Sequence, residues 1–255
     1  MWCQKYTLSL LRNYYGELFM EELKYHYKYP HPAITADSVV FGFDGKTLHI
    51  LLVERGVEPY KGSWALPGGF MKIDETVEQC AIRELKEETG VADIYLEQFH
   101  TFSDVKRDPR ERVVTVAFFA LVRKSDFQLL AGDDAARASW FEVDELPPLA
   151  FDHGQIIGMA REHIKEVLRT RPIAFKLLDE KFSIAELQRL YEAINGIQYD
   201  RRNFHKKMTS TGYLREEGVS PVANHNRFPN LYSFDEDTYI EEQESSPKNR
   251  NPFNI

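Results

Sequence analysis

The chain has 255 residues, of which 43% are hydrophobic and 28% charged, with a formal net charge of −8. These proportions argue against wholesale disorder, and the lack of any run of about 18 apolar residues excludes a transmembrane helix. The first residues lack a basic start, a continuous apolar core and a small-residue cleavage site, which argues against a secretory signal. With only Cys3 and Cys80, a disulfide framework or cysteine zinc site is not expected, so we expect a cytoplasmic protein.

Elements of the first 91 residues are predicted from their patterns. Residues 1–33 are rich in Tyr and Leu and suggest an amphipathic helix that serves as a packing arm or dimer contact. Two β-rich runs, SVVFGF and TLHILLVER, flank Asp44-Gly45, which predicts a hairpin. A helix is predicted to begin at Asp74 or Glu75 and to end at Gly90, with Cys80 buried on its apolar face.

The order of the following elements predicts the fold class. Three further strands are expected in IYLEQFHTF, RVVTVAFFALV and ASWFEV, and a helix over residues 155–169. Strands with two long helices over residues 34–170 indicate an α+β sandwich.

Residues 171–234 have a different pattern. Ser183 and Glu186 form a capping box that opens a helix ending at Gly196. Asp200 caps a second helix, RRNFHKKMTSTG, and two β-rich runs with a polar tip follow. Helix, turn, basic helix and wing is the order of a winged helix-turn-helix. Residues 235–255 are acidic and polar and are expected to be a disordered tail.

The segment GFMKIDETVEQCAIRELKEETGV, residues 69–91, matches the pattern G-x5-E-x7-R-E-U-x-E-E-x-G-U, with U aliphatic, at every specified position. Glu84, Glu87 and Glu88 are spaced i, i+3 and i+4, so they share one face of the helix. Three anions there repel one another unless a cation lies among them, and Mg²⁺ or Mn²⁺ prefers such oxygen ligands. Arg83 could pair with Glu75 or a neighbouring acid and hold the helix against the loop.

This pattern is the Nudix box, and residues 34–170 resemble the Nudix superfamily. The resemblance implies a Nudix α/β/α sandwich in which Glu84, Glu87 and Glu88 hold the metal. With Arg83, these residues would carry catalysis, the cleavage of a nucleoside diphosphate linked to another group. A metal ion held this way lowers the pKa of an attacking water. A second catalytic base is not assigned; Glu111, Asp133 and Asp134 are equal candidates.

Other segments resemble the ADP-ribose-pyrophosphatase-like branch, namely ERGVEPYKGSWALPGG, DVKRDPRERVVTVAFFAL and LPPLAFDHGQI. Arg55, Trp64 and Arg112 are placed where a basic or aromatic side chain could contact a phosphorylated or sugar ligand. A tryptophan in this position more often belongs to the core than to a ligand platform, which is the alternative for Trp64, and Arg112 could pair with an acid. Asp152 and His153 could line the same pocket, or could be a helix N-cap followed by a surface histidine.

Residues 201–232 form a basic island, with six Lys or Arg against two Glu, a balance of +4. A helix that is apolar at Phe204 and Met208 and basic elsewhere suits insertion into the major groove of DNA. The residues expected to contact DNA are Arg201, Arg202, Asn203, His205, Lys206, Lys207 and, in the wing, Arg227.

Residues 34–232 as a whole resemble the Nudix-related transcriptional regulators, in which a Nudix-like sensor precedes a C-terminal winged helix. The resemblance implies a homodimer that binds a double-stranded DNA operator and a small effector. That effector is either ADP-ribose, as in NrtR-like members, or a pentose such as L-arabinose, as in a carbohydrate-metabolism branch. Because the box is unbroken, the alternative is a metal-dependent hydrolase of ADP-ribose or a related nucleoside diphosphate derivative.

Overall fold

The structure is a computed structural model that describes residues 28–127, 135–221, 228–245 and 253. Residues 33–255 form one compact unit and residues 1–32 another, and the first of these is described below. Most of the predicted N-terminal arm, the candidate bases Asp133 and Asp134, and Arg227 lie outside the described residues.

A seven-stranded mixed sheet forms the first part of the fold. Its two central strands, β1 and β6, run parallel over their full length, while the remaining pairs are antiparallel. The predicted hairpin is confirmed: the Asp44 carboxylate accepts from the amides of Lys46 and Thr47 in the turn between β1 and β2. The strands are β1 (Ala33–Phe43), β2 (Leu48–Arg55), β3 (Trp64–Ala65), β4 (Gly68–Phe70), β5 (Glu97–Phe102), β6 (Val113–Arg123) and β7 (Ala135–Glu142).

The side chains of β1 alternate between the two faces of the sheet, so that each face carries apolar residues that a helix can cover. Side chains of successive strand residues point to opposite faces, so Val39 and Phe41 enter one apolar cluster while Ala36 and Val40 enter two others. The first cluster contains the inner face of α2 (His153–Thr170), and the other two contain that of α1 (Val77–Thr89). One helix therefore covers each face, and the predicted Nudix α/β/α sandwich is confirmed.

Helix α1 begins later than its sequence suggests. Its N-cap is Thr76, which exchanges hydrogen bonds with Gln79 in a capping box. The predicted start at Asp74 or Glu75 is wrong because Glu75 accepts from the amide of Lys72 and turns toward the loop. The predicted end is confirmed, since Gly90 has φ 75°, a left-handed conformation that glycine adopts at little cost.

The second part of the fold is a winged helix. Helix α3 (Ile184–Asn195) begins with the predicted capping box of Ser183 and Glu186, and α4 (Arg201–Thr209) is capped by Asp200. The wing strands β9 (Leu214–Val219) and β10 (Asn230–Phe234) form a three-stranded sheet with β8 (Phe182–Ser183), a two-residue strand that was not predicted.

Two boundaries in this part differ from expectation. Helix α4 ends at Thr209, before Gly212, because the hydroxyls of Ser210 and Thr211 bond to backbone carbonyls of the last turn and compete with the helical pattern. Instead of a disordered tail directly after Phe234, the chain forms α5 (Glu236–Ser245), in which Tyr239 packs edge-on against Tyr213. Among the described residues, no helix is both long and apolar enough to cross a membrane.

Candidate functional site

Arg83 joins the carboxylates of α1. Its Nε and Nη2 donate to Glu75 at 2.8 and 2.6 Å, and its Nη1 donates to Glu84 at 2.6 Å and to Glu87 at 3.1 Å. These bonds, with help from the Lys72 amide, hold the pKa of Glu75 down to about 2. The predicted pairing of Arg83 with Glu75 is confirmed. The expectation that the three glutamates lie uncompensated without a metal ion is wrong for Glu84 and Glu87, which Arg83 contacts. It stands for Glu88, to which Arg83 forms no bond in the described structure.

A cavity of about 430 Å³ opens beside this helix. Its wall combines the ends of β1 and β2, strand β4, helix α1, the loop 103–112 and the start of α2. Four residues predicted from the sequence line it together: Arg55, Glu84, Glu88 and His153.

Glu88 is the carboxylate most affected by its surroundings. Its Oε2 accepts from the Gly68 amide at 2.9 Å, yet burial and the nearby charges of Glu84 and Asp37 raise its pKa to about 8. The neighbouring backbone approaches closely: a Cβ on Gly69 would lie 2.5 Å from the Glu84 carboxylate, so a larger residue there would displace that carboxylate.

A buried ion network forms another wall of the cavity. Arg107 donates to Asp152 through Nε at 3.0 Å and Nη2 at 2.8 Å, and to Asp37 through Nη2 at 3.4 Å. His153 is 5% exposed, and its Nδ1 accepts from the Leu66 amide at 2.8 Å. Burial lowers the pKa of His153 and keeps the ring neutral, as an accepting nitrogen requires. The alternative of a surface histidine is therefore wrong.

Other residues predicted for this site lie elsewhere. Trp64 is 8% exposed and packs edge-on against Phe141, so it belongs to the core. Arg112 donates to the carbonyls of Ser103 and Asp104 and thereby holds its own loop. Glu87 points outward, with 57% of its side chain exposed. Asp152 accepts from Arg107 and is not among the residues that line the cavity. Glu111 is exposed and does not line the cavity either.

Five charged lining residues were not predicted: Asp37, Glu54, Arg107, Asp108 and Arg110. Three of them come from the loop between β5 and β6, whose sequence DVKRDPRER alternates acids and bases. That alternation was a usable signal, but it does not tell which charges point inward. Asp37 lies within a strand of buried apolar residues, where its charge alone marks it as unusual.

The exposed face of α4 is the second candidate site. Phe204 and Met208 are buried as predicted, whereas the polar and basic residues around them are exposed. Within the described part of the chain, none of the four cationic side chains of α4 forms an ion pair. Arg201 and His205 also line a groove against Pro229 and Asn230 of the wing. The exposed set is Arg201, Arg202, Asn203, His205, Lys206 and Lys207.

Comparison with protein families agrees with this architecture. Residues 31–158 match the NUDIX domain, and residues 174–234 match the NrtR DNA-binding winged helix domain. The fold and the two sites thus define a Nudix domain joined to a DNA-binding winged helix. The chain belongs to the NrtR-type family of Nudix-related transcriptional regulators.

Similar proteins include regulators and a hydrolase. An Acinetobacter baylyi protein named ADPR responsive transcriptional repressor NtrR is 34% identical over 81% of this chain and 83% of its own length. The ADP-ribose pyrophosphatase of Methanocaldococcus jannaschii is 39% identical over 60% of this chain and 88% of its own length.

Solved structures of Shewanella oneidensis NrtR are also similar. The structure complexed with a 27mer DNA has a TM-score of 0.66 and 31% identity, covering 81% of this chain and 95% of that one. Its NUDIX domain complexed with ADP ribose has a TM-score of 0.51 and 36% identity, covering 55% of this chain and 94% of that one.

Proposed function

We propose that this chain is a cytoplasmic transcriptional repressor that binds double-stranded operator DNA and senses ADP-ribose in the cavity of its Nudix domain. The observation that carries the proposal is the exposed basic face of α4, whose inner side is fixed by buried Phe204 and Met208. Residues 34–170 would form the sensor and residues 171–234 the DNA-binding domain. The similarity to NrtR supports both assignments.

The residues of α4 would divide into two roles. Arg201 and Asn203 lie in its first turn, which helix-turn-helix proteins place against base edges. Lys206 and Lys207 lie one turn later and would contact phosphates, as would Arg202 and His205 beside them. Arg227, which falls between β9 and β10 in the sequence, would be a further phosphate contact. Replacing a base-reading residue such as Asn203 with Ala should cost about 1–3 kcal/mol and blur preference at one operator position.

The charges of the cavity favour ADP-ribose over a pentose such as L-arabinose. Arg55 and Arg110 both line it. Arg110 is paired with Asp108, but Arg55 forms no ion pair among the described residues, and a diphosphate would give it a counterion that an uncharged sugar would not. Asp152 would act by positioning Arg107, and His153 by holding the Leu66 backbone. Neither Trp64 nor Arg112 has a role in this proposal.

A ligand-dependent DNA-shift assay tests the function. The full chain is mixed with DNA from upstream of its own gene, with ADP-ribose or with L-arabinose at equal concentration. We expect ADP-ribose to release the DNA and arabinose to have no effect. Release by arabinose alone would reassign the effector, and failure to bind any upstream DNA would overturn the regulator.

We also propose that the repressor is a homodimer. A two-fold dimer places two recognition helices on half-sites about one helical turn apart, or a multiple of that, so the operator should be palindromic. Light scattering at micromolar concentration should give about twice the chain mass. A monomer that binds one asymmetric site would contradict this.

A second function, metal-dependent hydrolysis of ADP-ribose, is favoured by the unbroken Nudix box and the similarity to a pyrophosphatase. Among the described residues no three acids, histidines or cysteines converge on one point. Glu84 and Glu88 nevertheless suit Mg²⁺ or Mn²⁺, which one or two carboxylates commonly hold together with ligand phosphates. Glu87 would join them only if it broke its bond to Arg83.

When bound, the metal would activate a water. Arg83 and Glu75 would hold α1 against the loop. Hydrolysis of ADP-ribose at about 1 s⁻¹ or faster would favour this function.

A further inference from the structure

The chain continues past Phe234, where the match to the winged helix domain ends, and aromatic rings anchor this extension. Tyr239 of α5 packs edge-on against Tyr213 with ring centroids 5.3 Å apart, and its ring lies 5.8 Å from that of Phe234. Phe253 is 1% exposed, and its ring lies 5.8 Å from that of Tyr213. The Tyr213 hydroxyl also donates to Glu242 of α5 at 2.8 Å. The extension is therefore docked on the winged helix at the point where α4 leads into β9.

The same aromatic cluster reaches the linker that joins the two domains, residues 171–181. This linker contains a short 3₁₀ helix, Ile173–Leu177. Phe175 of that helix stacks on Phe234 of the wing, with centroids 4.3 Å apart and the ring planes 14° from parallel. The ring of Phe175 also lies 6.0 Å from that of Phe253. One side chain of the linker thus packs against both the wing and the C-terminal extension.

The Nudix domain holds the linker only in part. Ile173 and Leu177 are buried in the shared core, and Arg171 pairs with Glu97 at 2.6 Å. Yet an open cavity of about 420 Å³ lies between the linker and β6, and another of about 490 Å³ lies between the linker and the turn after β1. Leu178 lines both cavities. Because close packing is what prevents one element from shifting against another, the aromatic cluster supplies a restraint that these gaps do not.

We propose that α5 and Phe253 form a C-terminal clasp that fixes the linker to the winged helix and thereby sets the orientation in which α4 meets DNA. This rests on the proposed function, because it concerns a chain that binds an operator. A recognition helix that samples several orientations binds less tightly, since only the competent fraction of molecules contributes to the apparent affinity. In a dimer the requirement is stricter, because two helices must match two half-sites at once. The DNA-binding unit of this chain thus extends beyond the winged helix.

Charge and packing make opposite predictions for the clasp. Residues 236–255 carry five acids and two bases, a net charge of −3, so their electrostatic effect on DNA is repulsive. The ring variant, Tyr239→Ala with Phe253→Ala, removes packing without changing charge. The charge variant, Glu236→Gln with Glu241→Gln, removes two exposed acids and keeps the rings. Only the clasp predicts that the ring variant binds DNA more weakly than the charge variant.

Fluorescence anisotropy of the full chain on upstream DNA at constant salt makes this comparison. We expect the ring variant to bind about tenfold or more weakly than the wild type, as when the competent fraction falls to about one tenth. The charge variant should bind at least as tightly as the wild type. Ile240→Ala is the matched control, because that side chain belongs to α5 but is 46% exposed, and it should leave the affinity unchanged. The affinity for ADP-ribose, measured by calorimetry, should be the same in all of them.

Hydrogen exchange of the DNA-free chain adds a readout that does not depend on the proposed function. Amides of the linker, such as that of Leu178, which donates to the Phe175 carbonyl at 3.4 Å, should exchange faster in the ring variant. Amides of β1 and β6 should not. If the ring variant does not fold by circular dichroism, Phe253→Ala alone carries both measurements.

The outcomes separate the clasp from the proposed function. Unchanged linker exchange would overturn the clasp whether or not DNA is bound. Where the wild type binds the DNA, equal affinity of the ring variant and the Ile240→Ala control would overturn it as well. Faster linker exchange in a chain that binds no upstream DNA would support the fixing of the linker and overturn the regulator.

Discussion

The Nε of Arg189 donates a 2.8 Å hydrogen bond to the carbonyl oxygen of Gly45. Arg189 belongs to α3 of the winged helix, and Gly45 to the turn between β1 and β2 of the sheet. The apolar cluster is continuous at the same place, since Phe43 and Leu48 share it with Phe182 and Leu190. The winged helix therefore packs on the Nudix sheet and shares its core.

Because the core is shared, the two domains should unfold together. We expect a single cooperative transition in urea when circular dichroism and tryptophan fluorescence are compared. Arg189→Ala should lower the free energy of unfolding by about 1 kcal/mol, the net contribution of one hydrogen bond, without splitting the transition. Arg202→Ala, on the exposed face of α4, is the control and should change stability little. Two separate transitions in the wild type would contradict the shared core.

Arg107 forms a buried ion network with Asp37 and Asp152, so its replacement should strongly destabilise the fold. Arg107→Ala leaves the carboxylates of Asp37 and Asp152 buried without their cation, which should cost about 3–5 kcal/mol. Arg123→Ala removes pairs with Asp126 and Asp179 that do lie at the surface, and it should cost about 1 kcal/mol or less. Urea unfolding of both variants makes the comparison. Equal losses would show that the network around Arg107 is not the support we infer.

Lys206 and Lys207 should determine the salt dependence of DNA binding. Replacing both with Ala should reduce the slope of log K against log salt by about two, since each phosphate contact contributes about one. Lys46→Ala with Lys61→Ala, two exposed lysines of the Nudix domain, should leave the slope unchanged. Fluorescence anisotropy at several salt concentrations gives the slope. An unchanged slope in the Lys206, Lys207 variant would mean that the basic face is merely solvated.

The Cys80 thiol should be inert in the folded protein. Its side chain is buried, and burial, with the nearby charges of Glu75 and Glu84, raises its pKa to about 12. At pH 8 only about one thiol in ten thousand is then a thiolate, the reactive form. In a Cys3→Ser variant, a disulfide reagent should label Cys80 only after denaturant is added, and labelling in buffer should rise only as the pH approaches 12. Rapid labelling at pH 8 would show that the site opens.

The sequence could predict those residues of the site that lie close together along one helix. Glu84, Glu88 and Arg83 lie within two turns of one helix, so periodicity alone puts them side by side. Arg107 was missed because its partners are 70 and 45 residues away, brought close only by the sheet and the start of α2. The choice between a ligand contact and a structural role stayed open for Trp64 and Arg112, because a suitable side chain in a suitable segment does not reveal which way that side chain points.

The parallel pairing of β1 with β6 also determines when the protein can fold. Ala33 pairs with Val113, so the centre of the sheet joins segments 80 positions apart. Non-local pairing of this kind closes slowly, and during synthesis β1 has no partner on that edge until β6 has been translated. Its buried residues, such as Val39 and Phe41, are exposed in that interval. We therefore expect the nascent chain to be most prone to aggregation, and most dependent on chaperones, before about residue 123 has emerged from the ribosome.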